Sequence, residues 1–370
     1  MLGIRYKMIK LIKPKKLRKG DTVALITLSW GGAAECKDRY LAGKEQIEKT
    51  FGLKVVETPN ALKSADWIYE HPEERLNDLI WAFKNPEIKA IISIIGGDDS
   101  IRLLDFVKKE HLDIIRENPK IFVGLSDTTT INFLCLKAGI VSFYGPSVLF
   151  GLAENGGIDN YTKEYFKKSL FSDKPIEKIE NSKEGWTLDR VPWEKKYQNK
   201  KRKMQNPLQI NFIQGMGIKE GALIGGCVDA LEFMKGTVLW PDNLFWKDAV
   251  LFLETSEEIP SPDQFKRWLR NYGTQGILKE INGIIFGIPG GDIEFDAPDY
   301  EGRLKKHLES FKEYEKVLLK VAKEYGRRDL IIATQLHFGH TMPMITLPYG
   351  TKVRLDAENK KIEIIGSGVR

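Results

Sequence analysis

The sequence is poor in the residues that usually announce a chemistry. Its 370 residues hold three cysteines, Cys36, Cys135 and Cys227, and none stands in CxxC spacing. Neither a disulfide framework nor a zinc ribbon can be built from them. They read as small buried thiols of a reducing compartment, so the cytoplasm is the expected location. Only five histidines are present, and no HExxH helix accompanies them, which argues against a metallohydrolase. No apolar stretch reaches about 18 residues, so no membrane span is expected. Residues 1–20 are basic without a sustained apolar core, which does not fit a secretory signal. There is no GxGxxG fingerprint and no internal repeat. No cofactor and no metal are expected.

The net charge is +6. A basic chain invites a nucleic-acid reading, but most of the cations are spread through amphipathic segments. The two dense runs, 10–19 and 195–203, read as solvated surface, and no nucleic-acid motif accompanies them.

What the sequence does have is alternation. Apolar runs at 22–28, 54–58, 90–95, 120–124 and 141–144 read as strands, and 37–51, 72–83 and 129–138 read as helices. Strands about 30 residues apart with helices between them predict a doubly wound parallel α/β sheet. The expected organisation is a doubly wound domain over 1–155, a connecting segment or loop over the site at 156–215, and a smaller mixed α/β domain over 216–370. The connecting segment has no clear period and carries Trp186 and Trp193 among charges. On composition alone both tryptophans read as packing at the domain junction. In the C-terminal part, strands are expected at 221–226, 248–253, 282–287 and 330–334. Helices are expected at 227–234, 262–272 and 301–325. A hairpin or meander should close the chain over 344–355 and 361–365.

In a doubly wound sheet the site lies beyond the carboxyl ends of the strands. Three such ends carry glycine or small polar residues: Ser29-Trp30-Gly31-Gly32, Gly96-Gly97 and Gly124-Leu125-Ser126-Asp127-Thr128. Ser126 stands where strand gives way to helix. Such a turn pushes a hydroxyl outward and offers helix N-terminal amides to a developing oxyanion. The same position also suits a plain helix cap. A serine nucleophile needs a base, usually histidine, and a carboxylate to orient it. His71, His111 and His307 look unspecialised. His337 and His340 follow a buried strand in a glycine-containing loop, and either could serve. Glu254 ends another apolar strand. A metal held by His337 and His340 with Asp98 or Asp99 is the weaker reading, because the pair lies in a loop.

In order, Gly96-Gly97-Asp98-Asp99-Ser100, Gly124-Leu125-Ser126-Asp127-Thr128, Leu253-Glu254-Thr255, Gly339-His340-Thr341-x-Pro343 and Leu347-Pro348-Tyr349-Gly350 resemble the LD-carboxypeptidase family. That family also contains the microcin C immunity proteins. The opening, Lys13-Pro14 with Leu17 and Gly20-Asp21-Thr22-Val23, looks like the family's as well. The resemblance implies a serine peptidase with a triad assembled across a domain interface: Ser126 as nucleophile, Glu254 as orienting carboxylate and His340 as base. It implies oxyanion donors at the backbone of Asp127 and in the turn around Gly97. It also suggests a homodimer. His337 matches no motif residue and is left as structural. Two substrate types follow from the family: murein tetrapeptides ending in D-alanine, and an amide joining an aspartyl group to a nucleotide-like moiety. The stretch 182–203 resembles the insert with which the immunity branch stacks a base, and residues 254–262 also look more like that branch. Trp186 and Asp98 are the expected substrate contacts, Asp98 and Asp99 facing an ammonium group. The rival is a non-catalytic nucleotide- or sugar-binding module on the same kind of sheet.

Overall fold

The structure is a computed structural model that describes residues 11–370. Residues 1–10, part of the basic start read above as non-secretory, lie outside the described residues.

The first sheet is built from β1 (Thr22–Ile26), β2 (Lys54–Glu57), β3 (Ile88–Ser93), β4 (Ile121–Gly124) and β5 (Phe143–Tyr144). They pair in parallel in the order β2-β1-β3-β4-β5. Alternate residues explain why the runs are apolar throughout. Val23, Leu25, Ala90, Ile92, Ile121 and Val123 enter one hydrophobic cluster, while Ala24, Ile26, Ile91 and Phe122 enter another on the opposite face. Both faces are therefore covered, as a parallel sheet requires. Chain order reverses between β1 and β3, so the carboxyl ends of β1, β3 and β4 surround a topological switch point.

Eleven further strands, with helices between them, carry the chain to its second sheet and close it. In chain order the strands are β6 (Glu177–Lys178), β7 (Asp189–Arg190), β8 (Asn211–Gln214), β9 (Ile218–Cys227), β10 (Val250–Glu254), β11 (Gly283–Gly287), β12 (Ile293–Glu294), β13 (Ile331–Leu336), β14 (Leu347–Pro348), β15 (Lys352–Asp356) and β16 (Lys361–Ile364). The second sheet runs β6-β16-β15-β9-β10-β11-β13-β8, with a parallel centre and antiparallel edges. Helices Pro262–Thr274 and Tyr300–Glu324 pack on it. The first of these opens with Ser261, whose side chain accepts the Gln264 amide at 3.2 Å, followed by proline at the first helical position.

Two features depart from the sequence reading. The connecting segment was expected to be a link or a loop over the site, yet it adds strands to the second sheet, which among the described residues has eight. The connecting segment supplies two of them, β6 and β8, and neither is an apolar run. The meander expected over 344–355 is split. Its first part, β14, pairs antiparallel with β5, Leu347 opposite Tyr144, and so completes the first sheet. Its second part, β15, forms the hairpin with β16.

The two sheets share a core at their junction. Tyr144 of β5 packs against Phe252 of β10 at 5.4 Å between ring centroids, and Tyr349 closes on Phe252 at 5.1 Å. Thr129, beside Ser126, accepts the Cys227 amide at 3.3 Å. No helix among the described residues is long and apolar enough to cross a membrane.

Candidate active site

Ser126 follows β4 and opens a single 3-10 turn that runs into helix Thr129–Ala138. Its φ is 61°. A residue with a Cβ seldom holds this left-handed conformation, and the cost is about 1–3 kcal/mol. It is met here by bonds on both sides of the peptide. The Ser126 amide donates to the Tyr144 hydroxyl at 3.1 Å, and the Ser126 carbonyl accepts from Thr129 Oγ1 at 2.6 Å. The turn at 96–97 presses against it. A Cβ on Gly96 would lie 2.8 Å from the Ser126 Cβ and 3.1 Å from its Oγ, so only glycine lets this backbone come so near. Asp127 does not face the cavity with its side chain. Its carboxylate accepts the Ser100 amide at 2.8 Å and its carbonyl accepts the Ser100 hydroxyl at 2.9 Å, which fixes the two turns to each other. Burial holds the Asp127 carboxyl above the usual range.

Glu254 ends β10 and is fully buried. One oxygen accepts the Tyr144 hydroxyl, and the other faces His340 Nδ1 at 2.7 Å. The loop after β13 brings His340 there by a turn at Gly339, φ 97°, where a Cβ would lie 2.4 Å from the Glu254 carboxylate. The other ring nitrogen of His340, Nε2, lies 3.4 Å from Glu257. Burial alone would lower the His340 pKa. The carboxylates of Glu254, Glu257 and Asp229 outweigh it and raise the value from 6.5 to about 9.

Ser126 and His340 line one cavity of about 370 Å³, together with Trp30, Gly97, Phe150, Trp193, Glu257 and Asp292. The connecting segment forms one wall. It is tied down by β7 pairing with β12, and by Thr187, whose amide donates to the Met342 carbonyl at 2.8 Å. An ion triad centred on the buried Glu154 locks it to the first sheet's side: Glu154 meets the buried Arg39 at 2.9 Å and the partly buried Arg202 at 2.8 Å. Burial would raise the Glu154 carboxyl, but the two guanidinium groups hold it below its ordinary value.

The expected substrate contacts fall differently. Trp186 is 1% exposed, packed on Phe311 and His307 under the connecting segment, and does not line the cavity. Of the connecting segment's two tryptophans it is Trp193 that lines the cavity, with the Arg39 guanidinium 5.2 Å from its ring. Asp98 is exposed beyond Gly97 and is not part of the lining. Asp99 is engaged by Arg75 at 2.7 Å and Arg102 at 2.9 Å, so its charge is answered from within the protein. This also removes Asp99 from the metal reading. His337 is buried with no hydrogen-bond partner on either ring nitrogen, beside the Tyr161 ring, and burial lowers it to about 4.

Tyr144 and Glu257 escaped the sequence reading. Tyr144 ends a strand just as Glu254 does, but a tyrosine in an apolar run looks like core. Glu257 lies three residues beyond Glu254, in a stretch with no periodicity to say which carboxylate turns inward.

Known proteins match this chain over most of its length. The model of the LD-carboxypeptidase N-terminal domain matches residues 23–145, and that of the LD-carboxypeptidase C-terminal domain matches 220–355. The microcin C7 self-immunity protein MccF of Escherichia coli is 28% identical over 354 residues, covering 94% of each chain. The crystal structure of an MccF-like protein from Streptococcus pneumoniae in complex with AMP is 30% identical, with a TM-score of 0.80, covering 93% of this chain and 98% of that one. MccF in complex with aspartyl sulfamoyl adenosine superposes with a TM-score of 0.81 at 26% identity, covering 97% of this chain and 100% of that one. With both domain models matched in order, on a fold shared over nearly its full length, the chain belongs to the LD-carboxypeptidase family.

Proposed function

We propose that the chain is a serine-type carboxypeptidase or amide hydrolase in which Ser126, Glu254 and His340 act as a triad. The observation that carries this reading is the buried Glu254–His340 pair, 2.7 Å apart, at the wall of the cavity that also holds the strained Ser126 turn. Ser126 Oγ attacks the scissile carbonyl carbon as its proton passes to His340 Nε2. Glu254 keeps the proton on Nδ1 and stabilises the imidazolium that forms. The raised pKa of His340 is the signature of that stabilisation. Backbone amides of Asp127 and Gly97 receive the oxyanion, one from each of the two touching turns. The imidazolium then protonates the leaving nitrogen, and the acyl group stays on Ser126 as an ester. A water deprotonated by His340 releases it. In this cycle Glu257 must yield Nε2 to the serine proton when substrate enters.

Between the two substrate types, an aminoacyl-nucleotide amide is favoured over a murein L,D-peptide. Trp193 offers an aromatic face at the cavity wall, and the solved relatives hold AMP and aspartyl sulfamoyl adenosine. The reading includes a homodimer, measurable by light scattering, working in the cytoplasm with its three thiols reduced.

The test is product analysis on a murein tetrapeptide and on aspartyl sulfamoyl adenosine, each with a Ser126→Ala control. Cleavage of the nucleotide amide is expected, with the variant slower by about 10⁴-fold or more. Near-normal hydrolysis by Ser126→Ala overturns the assignment. A fluorophosphonate probe separates the rival binding module: labelling of Ser126 that depends on His340 supports the enzyme, and tight ligand binding without labelling or turnover supports the module.

A further inference from the structure

Cys227 has no role in the proposed chemistry, yet it stands beside it. It ends β9 directly opposite Glu254 in the parallel register, so the two side chains share a face of the sheet. The Cys227 thiol, a Glu254 carboxylate oxygen and a ring nitrogen of His340 all lie within 4.8 Å of one another. Cys227 and Glu254 are buried, while His340 also lines the cavity, which gives an ion a way in. One sulfur, one nitrogen and one carboxylate oxygen form the donor set of a zinc-class cation, with a fourth tetrahedral position left for water. Magnesium and calcium, which take oxygen ligands, are poorly served by it.

We propose that Cys227, Glu254 and His340 form an inhibitory site for a thiophilic divalent cation such as zinc. On binding, the Cys227 thiol and the His340 imidazolium each give up one proton to solvent, leaving a thiolate and a neutral imidazole as ligands. The hydrogen bond between His340 and Glu254 gives way to bonds from each to the metal. The imidazole is then neither oriented by Glu254 nor free to take the serine proton, so hydrolysis stops without any covalent change to the protein. Removal of the ion restores the pair.

The inhibition rests on the proposed triad, but the binding does not, and the experiment separates them. The protein is prepared with Cys36→Ser, so that the half-buried thiol elsewhere in the cavity wall cannot compete. Zinc chloride is expected to inhibit hydrolysis reversibly, with EDTA restoring it. Cys227→Ser should raise the inhibitory zinc concentration by at least about tenfold while hydrolysing at the parent rate. Cys227→Ala provides the same comparison without a hydroxyl. Cadmium chloride added to the parent and to Ser126→Ala should give the ultraviolet sulfur-to-cadmium charge-transfer absorption, and both Cys227 variants should lack it. Failure of the parent to show that absorption, or equal zinc sensitivity of the Cys227 variants, overturns the site. Cadmium absorption in a protein that hydrolyses neither substrate supports the site and counts against the proposed function instead.

Discussion

The hydroxyl of Tyr144 accepts the amide hydrogen of Ser126 at 3.1 Å. The same hydroxyl donates to Glu254, so the left-handed serine and the carboxylate behind the histidine hang on one phenol. Tyr144→Phe keeps the ring packed on Phe252 and removes only this link. We expect kcat to fall by up to about 100-fold through loss of alignment, with KM little changed. Steady-state kinetics with a thermal melt as folding control checks it. An unchanged kcat would mean that the turn holds itself.

The pH profile should be displaced to the alkaline side. His340 must be neutral to take the serine proton, and its neighbours raise it to about 9. The rate constant kcat/KM of the free enzyme should therefore climb through neutrality and level off above about 9. Glu257→Gln removes the carboxylate facing Nε2, so the midpoint should move to lower pH. A midpoint that stays put or moves up would show that Glu257 does not act on His340.

Stability should fall on acidification for a reason unrelated to catalysis. His307 and His337 are both lowered by burial from 6.5 to about 4. Below about pH 6.5 the unfolded chain takes up these protons and the folded one does not, so stability drops from there until about pH 4. His340 has the opposite sign. Its contribution is complete below 6.5 and is lost as pH rises through about 9. Urea midpoints across pH should show both slopes, and His337→Leu should flatten the acidic one.

Glu154 answers one buried and one partly buried guanidinium group at once. Glu154→Gln would leave Arg39 and Arg202 facing each other without a counter-charge, a loss of about 3–5 kcal/mol. Urea unfolding measures it. Because Arg202 is also in the cavity wall, KM should rise in the same variant.

Trp193→Ala should discriminate the substrates. If the ring stacks on a base, KM for aspartyl sulfamoyl adenosine rises while kcat holds, and a murein peptide is handled as before. Equal effects on both substrates would make Trp193 a wall and nothing more.

Ser126, Glu254 and both His337 and His340 drew attention because each ends or closely follows a buried apolar run; only the family resemblance singled out His340, and the structure sets it against Glu254 and on one cavity with Ser126. In a doubly wound sheet, strand ends are where distant residues meet. The first sheet was legible for the same reason. What stayed hidden depended on which way a side chain faces in an aperiodic segment. Trp186 and Trp193 are seven positions apart with nothing in their spacing to separate them. It is Phe311, from the long helix far along the chain, that claims the first for the core. Asp99 looked available until Arg75, from a helix packed behind it, took its charge. β8 is a half-buried edge strand, and β14 has only two residues, one of them proline. Neither carries the hydrophobic signature that reveals a central strand.

β14 has a consequence for how such proteins can be taken apart. It falls within the residues matched by the C-terminal domain model, yet it completes the sheet of the N-terminal one. Cut between the two models, the first half would bare the flank of β5 as an adhesive edge open to any passing strand. The second would carry an orphaned piece of its neighbour. The halves are stitched rather than stacked, and a chimera between relatives would inherit a working boundary only if residues 347–348 travelled with the N-terminal half.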